Sequence, residues 1–250
     1  MNPITYVYHE VLFQPLFNLL VGITNFLPTH NLGIAIILVT LLTRLLLLPS
    51  SLHHAKQLQA NQSKMADIKK DLKKVQDQFK DDKVKRAEAT MALYKKAGIN
   101  PASGCLPLLI QLPILIALYR VFLIGIGPST YHYLYSFVQA PMSISTTLLG
   151  IDLANPSLLL GVLAGIAQFS QMRWFSPTPA ASPGLNDSSE QMMASMQRNM
   201  MYIFPVMTIF IALQLPAALA LYWVVSTIFA VAQQLIIKRM LHLTVTPPSV

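Results

Sequence analysis

Residues 31–49 read NLGIAIILVTLLTRLLLLP, a single guanidinium inside an otherwise uncharged apolar run. A charge at the middle of a bilayer costs about 2.5–3.5 kcal/mol on insertion scales, so an intramembrane arginine normally has a carboxylate partner. The acidic residues are Glu10, Asp67, Asp71, Asp77, Asp81, Asp82, Glu88, Asp152, Asp187 and Glu190, and none falls in an apolar run of spanning length. Arg44 therefore faces water, backbone carbonyls or a group that arrives from outside the chain. That makes it a candidate site.

The rest of the chain is of the same material. It is 54% hydrophobic and 11% charged, with mean hydropathy +0.51, which places it among membrane proteins. Runs that reach or approach spanning length occur at 32–50, 104–124, 157–174 and 199–237. The last is too long for one helix and is broken at Gln214-Leu215-Pro216, since proline removes a donor and disfavours helix just before it. Five spans result. Of 18 Lys and Arg, twelve lie between Lys56 and Lys96, four more (Arg173, Arg198, Lys238, Arg239) lie at span ends, and 1–43 and 121–172 have none. Basic flanks stay cytoplasmic.

The predicted fold class is an all-α polytopic membrane protein of the cell (plasma or inner) membrane. It has five transmembrane helices, N-out and C-in, an N-terminal interfacial helix and a cytoplasmic antiparallel helical hairpin. The N-terminal interfacial amphipathic helix takes 1–30, the first span 31–54, the hairpin 55–103 and the second span 104–124. An extracytoplasmic loop (125–156) leads to the third span (157–175). A cytoplasmic loop (176–198), the fourth span (199–214), the fifth (216–237) and a cytoplasmic tail (238–250) follow. Net charge +8, which in a soluble protein suggests nucleic acid, here follows topology, and no sequence-specific nucleic acid binding is expected. A lone cysteine, Cys105, rules out an intramolecular disulfide and argues against a cysteine metal site. No cleavable signal peptide or lipid-attachment cysteine is expected at the start.

Within 5–27, Glu10, Gln14, Asn18, Gly22 and Asn25 share one helical face, and Val11, Leu12, Leu16, Leu19 and Ile23 the opposite one. Such a helix lies along a membrane surface more readily than across it; the alternative is a sixth span. In 55–98, Met65, Ile68, Leu72, Val75 and Phe79 form a 3-4 stripe, and Val84, Ala87, Met91 and Tyr94 form another. The phase changes across Lys80-Asp81-Asp82-Lys83, which predicts two helices folded back and sealed by these seams. Asp81–Lys85 and Asp82–Arg86 are favourable i,i+4 pairs. One long helix with a stutter is the alternative. The outer loop, with Tyr131, Tyr133 and Tyr135, reads as an interfacial connector, and 176–190 (SPTPAASPGLNDSSE) as a mobile loop. The fourth span is short, ~22 Å at helical rise, and would thin the bilayer around it.

Conventional catalytic patterns are absent, so the chain is not expected to be an enzyme. His9-Glu10 lacks the second zinc ligand, because position 13 is Phe, and Ser103 lies at a membrane edge with no histidine in any of the four apolar runs. His53-His54 project in different directions. No cofactor and no metal are expected. What remains is polar residues within spans: Thr40, one turn before Arg44, with Thr43 beside it; Gln111; Gln168 and Gln171; and Tyr222, Trp223, Ser226 and Thr227. Singly, each is ordinary helix-packing glue. With an unpaired Arg44 they suggest a shared hydrated cavity. Met192, Met193, Met196, Met200 and Met201 form a flexible apolar cluster of the kind that suits varied partners, or ordinary filler near a helix start.

Three stretches carry a resemblance: MALYKKAGINPASGCLPLLIQLPILIALYRV (91–121), FSQMRWFSP (169–177) and ALYWVVSTIFAVAQQLI (220–236). With the Arg-bearing first span and the charged helical pair, the chain from about 31 to 239 resembles the YidC/Oxa/Alb membrane protein insertases. The resemblance implies a five-span core around a hydrophilic groove open to the cytoplasm and the bilayer and closed outside. It maps the client-binding groove onto Arg44, Thr40, Gln171, Tyr222 and Trp223, to which Gln111 is added as a polar residue within the second span, and the client-recruiting hairpin onto Met65, Ile68, Leu72, Val75, Phe79, Val84 and Met91. Implied partners are nascent membrane protein clients and membrane lipids, with the ribosome, the signal recognition particle system and the Sec translocon beyond them. The sequence departs from many bacterial members in lacking an extra N-terminal span with a large periplasmic domain, and in its short basic tail. The alternative reading is a small anion transporter or channel that uses Arg44 as its binding charge; a third, an intramembrane protease, would need Ser103. The lack of internal repeats and the elaborate hairpin speak against transport.

Overall fold

The computed structural model describes residues 6, 8–80, 82–99, 106–175 and 188–244, with the side chains of 106–111, 188–198 and several single helical positions left aside. Helix α1 spans Gln14–Phe26 after a wide turn at His9–Phe13, and α2 spans Leu32–Leu46. Helices α3 (Leu48–Asp67), α4 (Lys69–Gln78) and α5 (Lys83–Lys96) follow, then α6 (Leu106–Ile124). A 3-10 turn at Pro128–Tyr133 and a ribbon of β1 (Thr147–Leu148) and β2 (Ile151–Asp152) lead to α7 (Leu158–Phe175), α8 (Ser188–Ala212) and α9 (Ala217–Thr244). Contacts divide the chain into two units: 1–48, 109–175 and 201–250 form one, and 49–108 with 176–200 the other.

The first unit holds the core. Phe13, Leu16, Phe17, Leu20 and Val21 of the N-terminal segment pack with Leu32, Ala35, Ile36 and Val39 of α2, Ala117, Leu118 and Val121 of α6, and Ala217–Tyr222 of α9. Helix α9 packs against both α7 and α2. The outward faces remain apolar: Leu38, Leu42 and Leu45 on α2, Leu159, Leu163 and Ile166 on α7, and Ile203, Val206 and Phe210 on α8 are all exposed. Apolar surface of that extent suits lipid rather than water. The segment Ala217–Ile237 is long and apolar enough to cross a membrane; Leu32–Leu46 and Leu48–His54 reach that length only together, and Leu112–Ile124 and Met201–Ala212 are shorter.

Helix ends have local causes. The Asn31 side chain caps α2 by accepting from Ile34 N–H at 3.1 Å. Within the expected first span (31–54) the helix is interrupted at Leu47, and Pro49 sits in the first turn of α3, where its missing N–H does no harm. Pro216 separates α8 from α9, whose first N–H groups find loop acceptors: Ala217 donates to Asn155 O and Ala218 to Leu153 O, each at 3.0 Å. Helix α8 begins at Ser188, inside the expected loop 176–198, because helix-forming Glu, Gln, Met and Ala follow the Pro- and Gly-rich stretch.

Two expected faces are rotated. On the N-terminal helix the buried set is Phe13, Leu16, Phe17, Asn18, Leu20, Val21 and Thr24, while Val11, assigned to the apolar face, is exposed. The amides of the expected polar face serve the loop instead of water. Asn18 donates to Tyr133 O (2.9 Å) and accepts from Tyr135 N–H (2.7 Å), Gln14 donates to Tyr133 O, and Asn25 to Gln139 O. The loop at 125–156, expected as a connector, is accordingly a folded cap. Its ribbon turns at Leu149-Gly150, both at positive φ (50° and 81°), the hairpin turn that matches strand twist, and Leu148 and Leu153 press on Gly33 of α2.

In the second unit α4 packs on α5 across Phe79–Asp82. Asp82 caps α5, accepting from Val84 and Lys85 N–H, and its carboxylate pairs with Lys85 rather than the Arg86 expected from spacing. Gly98 (φ 63°) closes α5, with Ile99 N–H on Tyr94 O and Gly98 N–H on Lys95 O. Met65, Ile68, Leu72, Val75 and Phe79 are half-buried, but Val84, Ala87 and Met91 are exposed, so the second expected seam does not seal the pair. Arg86 is buried, with Ala89, Thr90 and Leu93 half-buried on the same face; its long aliphatic stem covers that face as an apolar residue would.

Candidate functional site

Arg44 lies half-buried in the last turn of α2, where the orphan carbonyls and the negative end of the helix dipole favour a cation. Among the described residues no carboxylate comes within ion-pair distance of it. The group facing it electrostatically is Tyr222, from the buried first turns of α9. Packing of α9 on α2 thus brings together two residues that lie far apart in the sequence.

Thr40 is also present on α2, but its hydroxyl is occupied. Buried at 1% exposure, it donates to Ile36 O at 2.6 Å, and Thr43 donates to Thr40 O at 2.9 Å. These bonds satisfy the hydroxyls within their own helix and leave oxygen lone pairs for any second contact. Trp223 reaches the third expected span, where its indole N–H donates to Gln168 Oε1 at 3.0 Å. The sequence reading placed the site on Gln171; Gln171 is half-buried on α7, yet Gln168 is the residue in contact with Trp223. The signal for it was chemical: a partly buried indole N–H needs an acceptor, and a glutamine within a neighbouring span supplies one. Ser226, one turn beyond Trp223, is buried, and its hydroxyl has no hydrogen-bond partner among the described residues. The Gln111 side chain, like those of Met192, Met193, Met196 and Met200, lies outside the described residues. The hairpin residues belong to the other unit.

An α-helical bundle with lipid-compatible faces around a half-buried, carboxylate-free arginine defines a membrane protein. A profile of the 60Kd inner membrane protein family matches residues 23–244. The chain is 34% identical over 209 residues to the protein named membrane protein insertase YidC of Fusobacterium nucleatum, covering 84% of this chain and 87% of that one. It is 34% identical to the protein of the same name from Oceanobacillus iheyensis, over 87% of this chain and 79% of that one. It is 33% identical to that of Aeromonas salmonicida, over 92% of this chain but 36% of the longer relative. The chain belongs to the 60Kd inner membrane protein family, the one that the stretches at 91–121 and 220–236 resemble.

Proposed function

We propose that this protein is a membrane protein insertase, without enzymatic chemistry, that receives nascent membrane proteins from the cytoplasm. Five spans, N-out and C-in, surround a hydrated groove in which Arg44 attracts the polar or acidic tail of a client. A guanidinium pairs with a carboxylate through two parallel, charge-assisted bonds. The membrane potential, positive outside, then favours export of an acidic tail by about 2.3 kcal/mol per charge per 100 mV. The client's apolar segment leaves into lipid along α7 and α9, past Gln171, Tyr222 and Trp223, while the exposed Val84 and Met91 of the basic hairpin offer it a first apolar contact. The ribosome, the signal recognition particle system and the Sec translocon are the further partners on the cytoplasmic side.

One observation carries this reading: Arg44 is half-buried beside Tyr222 with no described carboxylate in ion-pair range. In proteoliposomes, Arg44→Ala is expected to reduce insertion of acidic-tailed clients at least ~10-fold, the loss of a charge-assisted contact, while neutral-tailed clients lose less. Arg44→Lys recovers function if charge suffices and fails if the planar fork is needed. Equal insertion of acidic-tailed clients by Arg44→Ala refutes the pairing, and anion flux through client-free liposomes favours the transporter instead.

A further inference from the structure

Where α2 and α9 begin, four large apolar side chains take almost no part in packing. Phe26 is 88% exposed, Phe137 80%, Met142 104% and Leu149 96%. Hydrogen bonds hold the segments that carry them side by side. Asn25, next to Phe26, donates to Gln139 O at 2.7 Å, Ser145 N–H to His30 O at 3.0 Å, and Asn31 to Thr147 O at 2.8 Å. Charge is missing from these segments, since no Lys, Arg, Asp or Glu occurs in 11–43 or 121–151. The tyrosines that suggested an interface turn inward instead: Tyr131 donates to Pro141 O, and the Tyr133 ring packs on Phe13 and Phe17. Leu149 tells most. It sits in the turn of the ribbon at φ 50°, a conformation that Asn or Gly favours and a bulky side chain rarely adopts. The paired residues of the ribbon divide as folding requires, with Leu148 and Ile151 half-buried and Thr147 and Asp152 exposed. Packing thus gives no reason for a leucine at the tip, whereas a partner outside the chain does. Single exposed apolar residues are ordinary; several at near-full exposure on one uncharged surface mark an interaction.

We infer that Phe26, Phe137, Met142 and Leu149 form a lipid-docking surface that dips into the interfacial layer of the leaflet at this end of the bundle. The loop leaves α6 and enters α7 directly, and the exposed Leu158 and Leu159 continue its apolar surface onto α7. The interfacial layer is only about 5–8 Å deep on each side of the hydrocarbon, so tips this close to two span ends stay within its reach. Lacking charge, the surface takes the glycerol and upper-chain region of neutral lipid as readily as that of acidic lipid. The inference rests on the spans of the proposed function, and not on Arg44 or client insertion.

The test is site-directed spin labelling of the full chain in vesicles of phosphatidylcholine, alone and mixed with phosphatidylglycerol. Cys105→Ser removes the single native thiol, and one cysteine is placed in turn at Phe137, Met142 and Leu149. Thr147 and Ala154, near the exposed Asp152, serve as reference positions. The label's collisions with oxygen, relative to those with a water-soluble nickel chelate, are expected to be at least ~10-fold higher at the tips than at the references. That ratio is the same in both lipid mixtures. Leu149→Asn in the Met142→Cys chain melts no lower than its parent, because asparagine suits the turn, while the ratio at 142 falls at least ~3-fold. Tips as wet as the references, a ratio that rises only with phosphatidylglycerol, or an unchanged ratio at 142 each overturns the proposal. Lower melting of Leu149→Asn overturns it too, by assigning the leucine to packing. So does spin–spin broadening that dilution with unlabelled protein removes, which assigns the surface to a second copy. Arg44→Ala, run beside these, keeps the ratios even where insertion fails.

Discussion

At the scale of single residues, the bond between Trp223 and Gln168 couples α9 to α7 through one donor and one acceptor. Removing either leaves the other in an apolar setting, where an unmade bond costs about 1–3 kcal/mol. Interhelical bonds in membranes nonetheless average only about 0.6 kcal/mol of coupling, because the separated helices find other partners. A double-mutant cycle of Gln168→Leu and Trp223→Phe, read by thermal unfolding in detergent, is therefore expected to give a coupling of about 0.5–1.5 kcal/mol. Gln171→Leu paired with Trp223→Phe should give none. Asp152 supplies a different residue-scale outcome, in the folded loop at 125–156. The backbone N–H of Ala154, then the Thr146 hydroxyl and the Asn155 amide, hold its carboxyl below the usual carboxylate value. A depressed carboxyl stabilises the folded loop above its unfolded pKa, and that contribution is lost as pH falls through the lower, folded value. Exchange of the Ala154 amide, corrected for its intrinsic pH dependence, should rise on acidification through that window. Asp152→Asn should abolish the rise.

At the scale of elements, α7 and α8 approach through glycine. A Cβ on Gly165 would stand 2.7 Å from Ile209 Cδ1 and 3.1 Å from Pro205 O, and one on Gly161 would meet Ala212 Cβ at 3.4 Å. Close approach of this kind is how helices associate where lipid removes the hydrophobic drive. Gly165→Ala is expected to destabilise by about 1–3 kcal/mol, the cost of overpacking. Ile209→Ala in the same chain should recover part of it, and melting of both singles and the double in detergent reads the recovery. If the double is as unstable as the sum of the singles, the two helices do not touch as described. The same elements show what could be read from residues. Pro216 marked the break before α9, and the phase change at 80–83 coincides with the gap between α4 and α5. The facing of helices was less legible. Asn18 looked like a solvent-facing amide because its partners, Tyr133 and Tyr135, lie 115 and 117 residues away. Arg86 was legible only as an ion-pair partner for Asp82, because a stem that buries as an apolar chain carries a charged label. For Arg44 the warning was visible, since its isolation is a property of composition; that Thr40 would bond its own helix and Gln168 would take Trp223 are properties of rotamers, which patterns do not record.

At the scale of the molecule, stability is unevenly shared. Every residue of the buried core cluster belongs to the unit of 1–48, 109–175 and 201–250. In the other unit, only Arg86 and Ile99 are buried among the described residues, and its helices rest on caps, the Gly98 closure and exposed ion pairs such as Lys74–Asp71. Exposed pairs of that sort are worth roughly 0–1 kcal/mol each. Local opening should therefore be far cheaper in α4 and α5 than in α2 and α9, because opening free energy follows buried apolar contact. Hydrogen exchange in detergent is expected to show amides of α4 and α5 exchanging at least ~100-fold faster than those of α2 and α9. Deleting 60–96 and joining the ends with a flexible linker should leave α2, α7 and α9 equally protected while client capture is lost. A hairpin that opens readily fits the recruiting role proposed for it, in which a client's apolar segment meets the exposed Val84 and Met91. If deletion strips protection from α9, the core depends on the hairpin, and the division of labour between a rigid bundle and a labile arm fails with it.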